Sequence, residues 1–78
     1  MNLLYESEYI QLGLKIAYYR KLRGITQEQL AEKINKTPAF IGHVEAPNIN
    51  KAVSLDTLFD IARVLEVPVY KFFVFEDV

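Results

Sequence analysis

The sequence predicts an all-α fold, a compact bundle of four to five short helices, and three observations predict it. The chain has 78 residues, which is the size of one small domain. Leucine, isoleucine and alanine recur at three- and four-residue intervals in separate segments, and this is the spacing of one helix face. Hydroxyl residues stand before several of these segments, where they can cap a helix N-terminus. We therefore expect residues 1–78 to form a single helical domain.

The first three helices are predicted from their start and stop signals. Gly24 follows the first helix, at the position where a left-handed residue commonly ends a helix. Thr26 and Gln29 have the spacing of a capping box at the start of the second helix, and Asn35 tolerates the tight turn that ends it. Thr37 and the proline after it begin the third helix. The predicted helices are about Glu8–Arg23, Gln27–Ile34 and Pro38–Glu45.

The second half of the chain contains a loop, a fourth helix and an ambiguous C-terminal segment. Residues 46–53 lack helical periodicity and contain proline and asparagine, so they are interpreted as a loop. Ser54 can cap a fourth helix that ends near Glu66. The apolar residues of Val69–Phe73 suit either a short fifth helix or a strand, and both interpretations stay open.

Composition excludes several classes of protein. There is no cysteine, so disulfides and thiolate metal sites are excluded and a reducing cytoplasm is the expected location. The N-terminus lacks the basic flank and apolar run of a signal peptide. The longest apolar stretch, Val67–Phe75, has less than half of the roughly 20 residues that a membrane span needs. No phosphate-binding glycine loop or metal-ligand spacing is present, and helix capping explains Ser7 and Ser54, so neither an enzyme nor a cofactor is expected.

Charge is unevenly distributed along a chain whose net charge is −1. Residues 15–51 contain seven basic and three acidic residues, a balance of +4. Residues 1–14 carry −2 and residues 52–78 carry −3, which restores the total of −1. This segregation predicts one face that attracts polyanions and another that repels them.

The second and third predicted helices are joined by a turn of about four residues, Asn35–Pro38, which is typical of a helix-turn-helix motif. From about Leu12 to Phe72 the chain resembles the lambda-repressor-like (Cro/XRE) helix-turn-helix family of transcriptional regulators. An ordered set of residues carries the resemblance: Leu12-Gly13, Arg20, Ile25–Ala31, Ile41, Val44, Glu45, Leu58, Ala62, Leu65 and Val67. It implies a dimeric regulator, most simply a repressor, that binds double-stranded DNA with its third helix in the major groove.

The resemblance also implies roles for individual residues. Arg20 and Glu45 would form an ion pair that ties the first helix to the end of the third. Phosphate contacts would come from the start of the second helix, the turn and the loop after the third helix: Thr26, Gln27, Thr37, Asn48, Asn50 and Lys51. Bases would be contacted from the third helix by Pro38, Ala39, Phe40, Gly42 and His43.

The expected base-contacting set contains few hydrogen-bonding groups. Only His43 can donate a hydrogen bond from its side chain, and an idle exposed imidazole is the alternative; no second histidine or cysteine supports a metal site. Ala39 or Phe40 would contact a thymine methyl group. Gly42 lowers helix propensity by about 1 kcal/mol relative to alanine, so either a close approach by another backbone or simple tolerance explains it. Sequence preference would then rest partly on DNA shape.

The C-terminal apolar segment, residues 67–78, predicts a homodimer. A chain of this size cannot easily bury so many apolar side chains alone, and Val69, Phe72, Phe73 and Phe75 are the expected contacts. In the alternative interpretation these side chains complete the core of a monomer. A pI near 5.7 and the few base donors favour a second function, a protein-binding module such as an antitoxin or co-regulator that retains the fold.

Overall fold

The computed structural model describes residues 3–49 and 51–75, and its regular structure is entirely helical. Four α-helices, α1 (Glu6–Leu22), α2 (Gln27–Lys33), α3 (Pro38–Glu45) and α4 (Leu55–Leu65), lie in this part of the chain. A 3-10 helix spans Leu3–Tyr5 and a second one spans Val69–Phe73. The all-α prediction is confirmed, and the segment that suited a helix or a strand is a 3-10 helix. None of these helices is long and apolar enough to cross a bilayer.

Side-chain caps begin α2, α3 and α4 where the sequence predicts them. Thr26 Oγ1 accepts the Gln29 N–H at 3.0 Å, and Gln29 Oε1 accepts the Thr26 N–H at 2.9 Å, so the capping box is formed. Thr37 Oγ1 accepts the Phe40 N–H at 3.1 Å, and Ser54 caps α4 in the same way. Each cap satisfies an amide that the first turn of a helix leaves without a partner.

Residues in the left-handed conformation end three of the helical segments. Gly24 has φ 71°, Asn35 has φ 59° and Glu66 has φ 57°. The sequence predicts all three as helix ends, and Glu66 terminates α4 although its side chain disfavours this conformation. The Arg23 side chain compensates, because it donates to the carbonyl oxygens of Leu65 at 2.6 Å and Glu66 at 3.0 Å. Arg23 therefore joins the end of α1 to the end of α4.

The hydrophobic core lies between the four α-helices and the C-terminal 3-10 helix. Its largest fully buried side chains are Phe72, Ile16, Leu30, Ile41, Leu58, Ile61 and Leu65. The ring of Phe72 packs edge to face against Tyr19, with 5.4 Å between ring centroids. The prediction that Phe72 contacts a dimer partner is therefore wrong, because its side chain is completely buried in the core of its own chain.

Helix α1 approaches the last turn of α3 closely at Gly13. A methyl group at this position would collide with the Val44 carbonyl oxygen, and it would lie 3.0 Å from the carbon of that carbonyl. The absence of a side chain thus lets the backbones of α1 and α3 touch. Ala31 of α2 is also completely buried, so a larger residue there would separate α2 from its neighbours. The absence of a side chain at Gly13 therefore sets how closely α1 and α3 pack.

Candidate nucleic-acid interface

The helix-turn-helix consists of α2, the turn over residues 34–37 and α3. Within the turn, the Lys36 N–H donates to the Ala31 carbonyl oxygen at 2.8 Å, while Asn35 adopts the left-handed conformation. The inner face of α3 places Ile41 and Val44 in the core. Its opposite face is open to solvent, because the side chains there belong to the exposed residues Pro38, Ala39 and His43. Helix α3 is thus supported from behind and accessible from the front.

A buried ion pair braces the C-terminal end of α3. Arg20 Nε lies 2.7 Å from Glu45 Oε2, and Arg20 Nη2 lies 2.9 Å from Glu45 Oε1. The side chains are only 9% and 5% exposed. Arg20 Nη1 also donates to the Ile25 carbonyl oxygen at 2.7 Å, so one guanidinium links α1, the connection between α1 and α2, and α3. The structure brings together the two residues that the resemblance pairs, in a bidentate geometry that restricts their orientation.

Gln27 connects the first turn of α2 to this ion pair. Its Nε2 donates to Glu45 Oε1 at 3.0 Å. A side-chain amide carries two N–H hydrogens, so this bond leaves the second one for another acceptor. Among the described residues outside α3, Gln27 Oε1 is the one atom that a methyl group on Gly42 would meet, at 3.6 Å, which is an ordinary contact distance. Packing within the described residues therefore does not require glycine at position 42.

Two lysines converge on the ring of Phe40. Lys36 Nζ lies 5.5 Å from the ring centroid, and Lys51 Nζ lies 5.7 Å from the same centroid. Lys36 comes from the turn before α3 and Lys51 from the loop after it, so tertiary structure brings these charges together. Sequence reasoning assigned a phosphate contact to Lys51 but none to Lys36. The available signal was a basic residue close before the third helix, separated from it by one residue.

The other residues predicted to contact DNA lie in different parts of the same region. Thr26 and Thr37 are exposed at the starts of α2 and α3, where their hydroxyls also act as caps. Asn48 is exposed in the loop after α3. Asn50 was also predicted to contact phosphate, and it lies outside the described residues. Within those residues, no group of three histidine, cysteine or carboxylate side chains could hold a metal ion.

The remaining residues of the predicted dimer surface lie away from α3. Val69 and Phe75 are half-buried, whereas Phe73 is 48% exposed. The two phenylalanines line an open apolar groove of about 300 Å³ together with residues from the N-terminal part of the chain: Tyr5, Glu8, Tyr9 and Leu12. The groove is therefore formed where the C-terminal 3-10 helix meets the beginning of α1.

Two short helices joined by a tight turn, the second with one face open to solvent, have the geometry of a helix-turn-helix DNA-binding protein. The Helix-turn-helix family model matches residues 16–72. The chain belongs to the lambda-repressor-like (Cro/XRE) helix-turn-helix family, which consists of DNA-binding transcriptional regulators.

The fold is also similar to that of a solved structure. This structure is the restriction-modification controller protein C.AhdI from Aeromonas hydrophila, and the TM-score is 0.80 at 23% sequence identity. The match covers 88% of this chain and 97% of that chain. No curated protein sequence matches. The structural likeness confirms the predicted fold. At 23% identity it bears on the fold alone.

Proposed function

We propose that this regulator binds double-stranded DNA as a dimer, with sequence preference, by placing α3 in the major groove. The observation that carries the proposal is the exposed face of α3 beside Lys36 and Lys51, with the Arg20–Glu45 ion pair behind it. The major groove of B-DNA is about 12 Å wide and admits one α-helix. A rigidly held helix can then present the same side chains to the bases at every encounter.

Phosphate contacts are proposed for the polar residues around α3. Thr26 and Gln27 would contact the backbone from the start of α2, and Thr37 would do so from the start of α3. Asn48 and Lys51, with Asn50, would contact it from the loop after α3. The second amide hydrogen of Gln27 supports its assignment, because the first is donated to Glu45. Such contacts fix the register of the protein on the duplex without reading sequence.

Base contacts are proposed for five residues at or beside the front of α3: Pro38, Ala39, Phe40, Gly42 and His43. His43 would donate a hydrogen bond to a base edge, and the others would make apolar contacts. Because hydrogen-bonding groups are few, the deformability of the DNA would supply part of the preference. Occlusion of a promoter is the simplest action for this domain, so we propose a repressor that works in the cytoplasm and carries out no catalytic step.

A two-fold dimer is proposed through the C-terminal surface formed by Val69, Phe73 and Phe75. Tyr70, Phe73 and Val74 leave a large apolar area exposed on one chain, and the groove beside Tyr9 could receive side chains from a second copy. A symmetric dimer would present two copies of α3 to half-sites about 34 Å apart, which is one turn of DNA.

Substitution of Phe73 by glutamate tests the dimer. Wild-type protein should have the mass of two chains by light scattering at micromolar concentration. Phe73→Glu should have the mass of one chain, because a carboxylate in an apolar contact would lose its hydration. Tyr18→Glu, an exposed aromatic on α1, is the matched control and should leave the dimer intact. A wild-type mass of one chain would exclude the dimer.

DNA binding is tested by selecting duplexes from a random pool and measuring affinity across salt concentrations. We expect a two-fold symmetric consensus, and we expect log K to fall by about 0.9 per phosphate contact for each unit of log salt. Lys51→Gln should lower this slope by about 1. Lys33→Gln is the control, because Lys33 lies beside Arg63 and Val64 of α4. Weak binding without sequence preference would contradict the proposal.

A second candidate function, binding to a protein partner, is favoured by a different observation. Leu14, Tyr18 and Leu22 are exposed and four residues apart on α1, so they form one apolar stripe on the outer face of the helix. An antitoxin or co-regulator would use such a stripe. In that case duplex selection would return no consensus, which separates the two functions.

A further inference from the structure

The exposed face of α3 presents a surface with little hydrogen-bonding capacity. Of its exposed residues, Pro38 and Ala39 have no polar side-chain atom and His43 has one imidazole; the half-buried Phe40 beside them is the largest apolar side chain of α3 at this surface. Among the four bases, only thymine displays a methyl group in the major groove. Apolar contact with that methyl is therefore the form of sequence recognition that this chemistry suits best.

The Phe40 side chain is held in one region by its surroundings. It is half-buried and packs against the rim of the core, so one part of the ring is fixed to the protein. Its own N–H is bonded to the Thr37 hydroxyl, which holds the backbone at the start of α3. Both lysine ammonium groups lie over the ring, so the ring is at the surface where an anionic ligand would draw the two charges. A side chain held in this way loses little freedom when it contacts a base.

The two lysines beside Phe40 have the properties of phosphate contacts. Their ammonium groups lie 5.5 and 5.7 Å from one ring centroid, so two positive charges lie close to the same apolar group. Neither lysine forms an ion pair within residues 3–49 and 51–75. Like charges held near each other are stabilised by an anion, and the DNA backbone supplies closely spaced anions along the groove.

We propose that Phe40 contacts the 5-methyl group of one thymine in each half-site, while Lys36 and Lys51 contact the adjoining phosphates. This inference rests on the proposed DNA binding and names both the base recognised and the residue that recognises it. Lys36 thereby gains a role in affinity, and Phe40 gains a role in specificity. Loss of affinity for all duplexes and loss of discrimination between duplexes are separate effects, so the two roles can be measured independently.

The methyl contact is tested with deoxyuridine, which lacks only the 5-methyl group of thymidine. Each thymine of a selected duplex is replaced in turn, and the dissociation constant is measured for every replacement. Wild-type protein should bind about fourfold more weakly at one position in each half-site, since a buried methyl group contributes about that factor. Phe40→Ala should bind the thymine and uracil duplexes equally, whereas Phe40→Leu should retain part of the ratio.

Three outcomes would overturn the inference. If uracil has no effect at any position, no methyl group is read. If the uracil effect persists in Phe40→Ala but disappears in Ala39→Gly, Ala39 reads the methyl group instead. Absence of binding to any duplex would overturn the proposed DNA binding as well. Failure of the methyl contact alone leaves binding intact, so the two failures are distinguishable. The ratio is measured within each variant, so a general loss of stability does not imitate the expected result.

The lysine contacts are tested by the salt dependence of binding to the same duplexes. Lys36→Gln should weaken binding to thymine and uracil duplexes by the same factor, and it should lower the slope of log K against log salt by about 1. The melting temperature of the free protein serves as the folding control. An unchanged slope would overturn the phosphate contact of Lys36.

Discussion

Replacement of Glu45 by alanine is expected to lower the free energy of unfolding by about 3–5 kcal/mol, because it leaves a buried arginine without its partner. Glu45 accepts two hydrogen bonds from Arg20 and one from Gln27, so three donors lose their acceptor together. Urea denaturation followed by circular dichroism measures the change. We also expect weaker DNA binding, since the end of α3 would no longer be tied to α1.

Two further variants separate the buried ion pair from ordinary surface charges. Asp60→Ala removes the carboxylate of the exposed pair with Arg63, in which the nitrogen and oxygen lie 3.4 Å apart. Because that pair is largely hydrated, the change should be no more than about 1 kcal/mol. Replacement of both buried partners, Arg20→Met with Glu45→Leu, should recover part of the lost stability because no uncompensated charge remains. Equal effects of Glu45→Ala and Asp60→Ala would contradict the importance of the buried pair.

The second large effect is expected at Gly13, where alanine should lower the free energy of unfolding by about 2–4 kcal/mol. The added methyl group would collide with the Val44 carbonyl oxygen, which belongs to the backbone and cannot rotate away. Helix α1 would have to move from α3, so buried contacts on both helices would loosen. For a domain of this size, the melting temperature should fall by about 8 °C or more.

Gly42→Ala is the matched control for this substitution. A methyl group at position 42 would meet Gln27 Oε1 at the ordinary contact distance of 3.6 Å and nothing nearer in the rest of the described structure outside α3, so the added side chain fits. Alanine should then stabilise the free protein by about 0.5–1 kcal/mol, which is the difference in helix propensity. If Gly13→Ala also raised the melting temperature, the close contact between α1 and α3 would be wrong.

The helix boundaries could be predicted from the sequence because they depend on local interactions. Thr26, Thr37 and Ser54 each bond to an amide three residues away, and such spacing is visible in a sequence. Gly24 and Asn35 end helices through their own backbone preferences. These signals do not require knowledge of which elements pack together, so fold class and most boundaries followed from them.

The C-terminal side chains could not be sorted from the sequence because their burial depends on packing. Phe72 and Phe73 are adjacent and chemically identical, yet the first is completely buried and the second is 48% exposed. The difference follows from the 3-10 helix, which directs Phe72 toward Tyr19 of α1. A pattern that suited both a helix and a strand could not determine that direction.

The candidate site was predicted only in part, because tertiary packing brings its residues together. Resemblance to a family supplied the pairing of Arg20 with Glu45, which are 25 residues apart in sequence. The cluster of Lys36, Phe40 and Lys51 was not predicted as a unit, because it depends on the loop after α3 bringing Lys51 back to the first turn of α3. Long-range proximity of this kind has no local sequence signal.

The most direct test of the central claim is to map which amides change chemical shift when a selected duplex is added to ¹⁵N-labelled protein. If the front of α3 contacts DNA, the largest changes should fall on Ala39, Phe40, His43 and Lys51, while the groove around Tyr5 and Phe73 should change little. Large changes confined to that groove or to the outer face of α1, with α3 unaffected, would contradict the account.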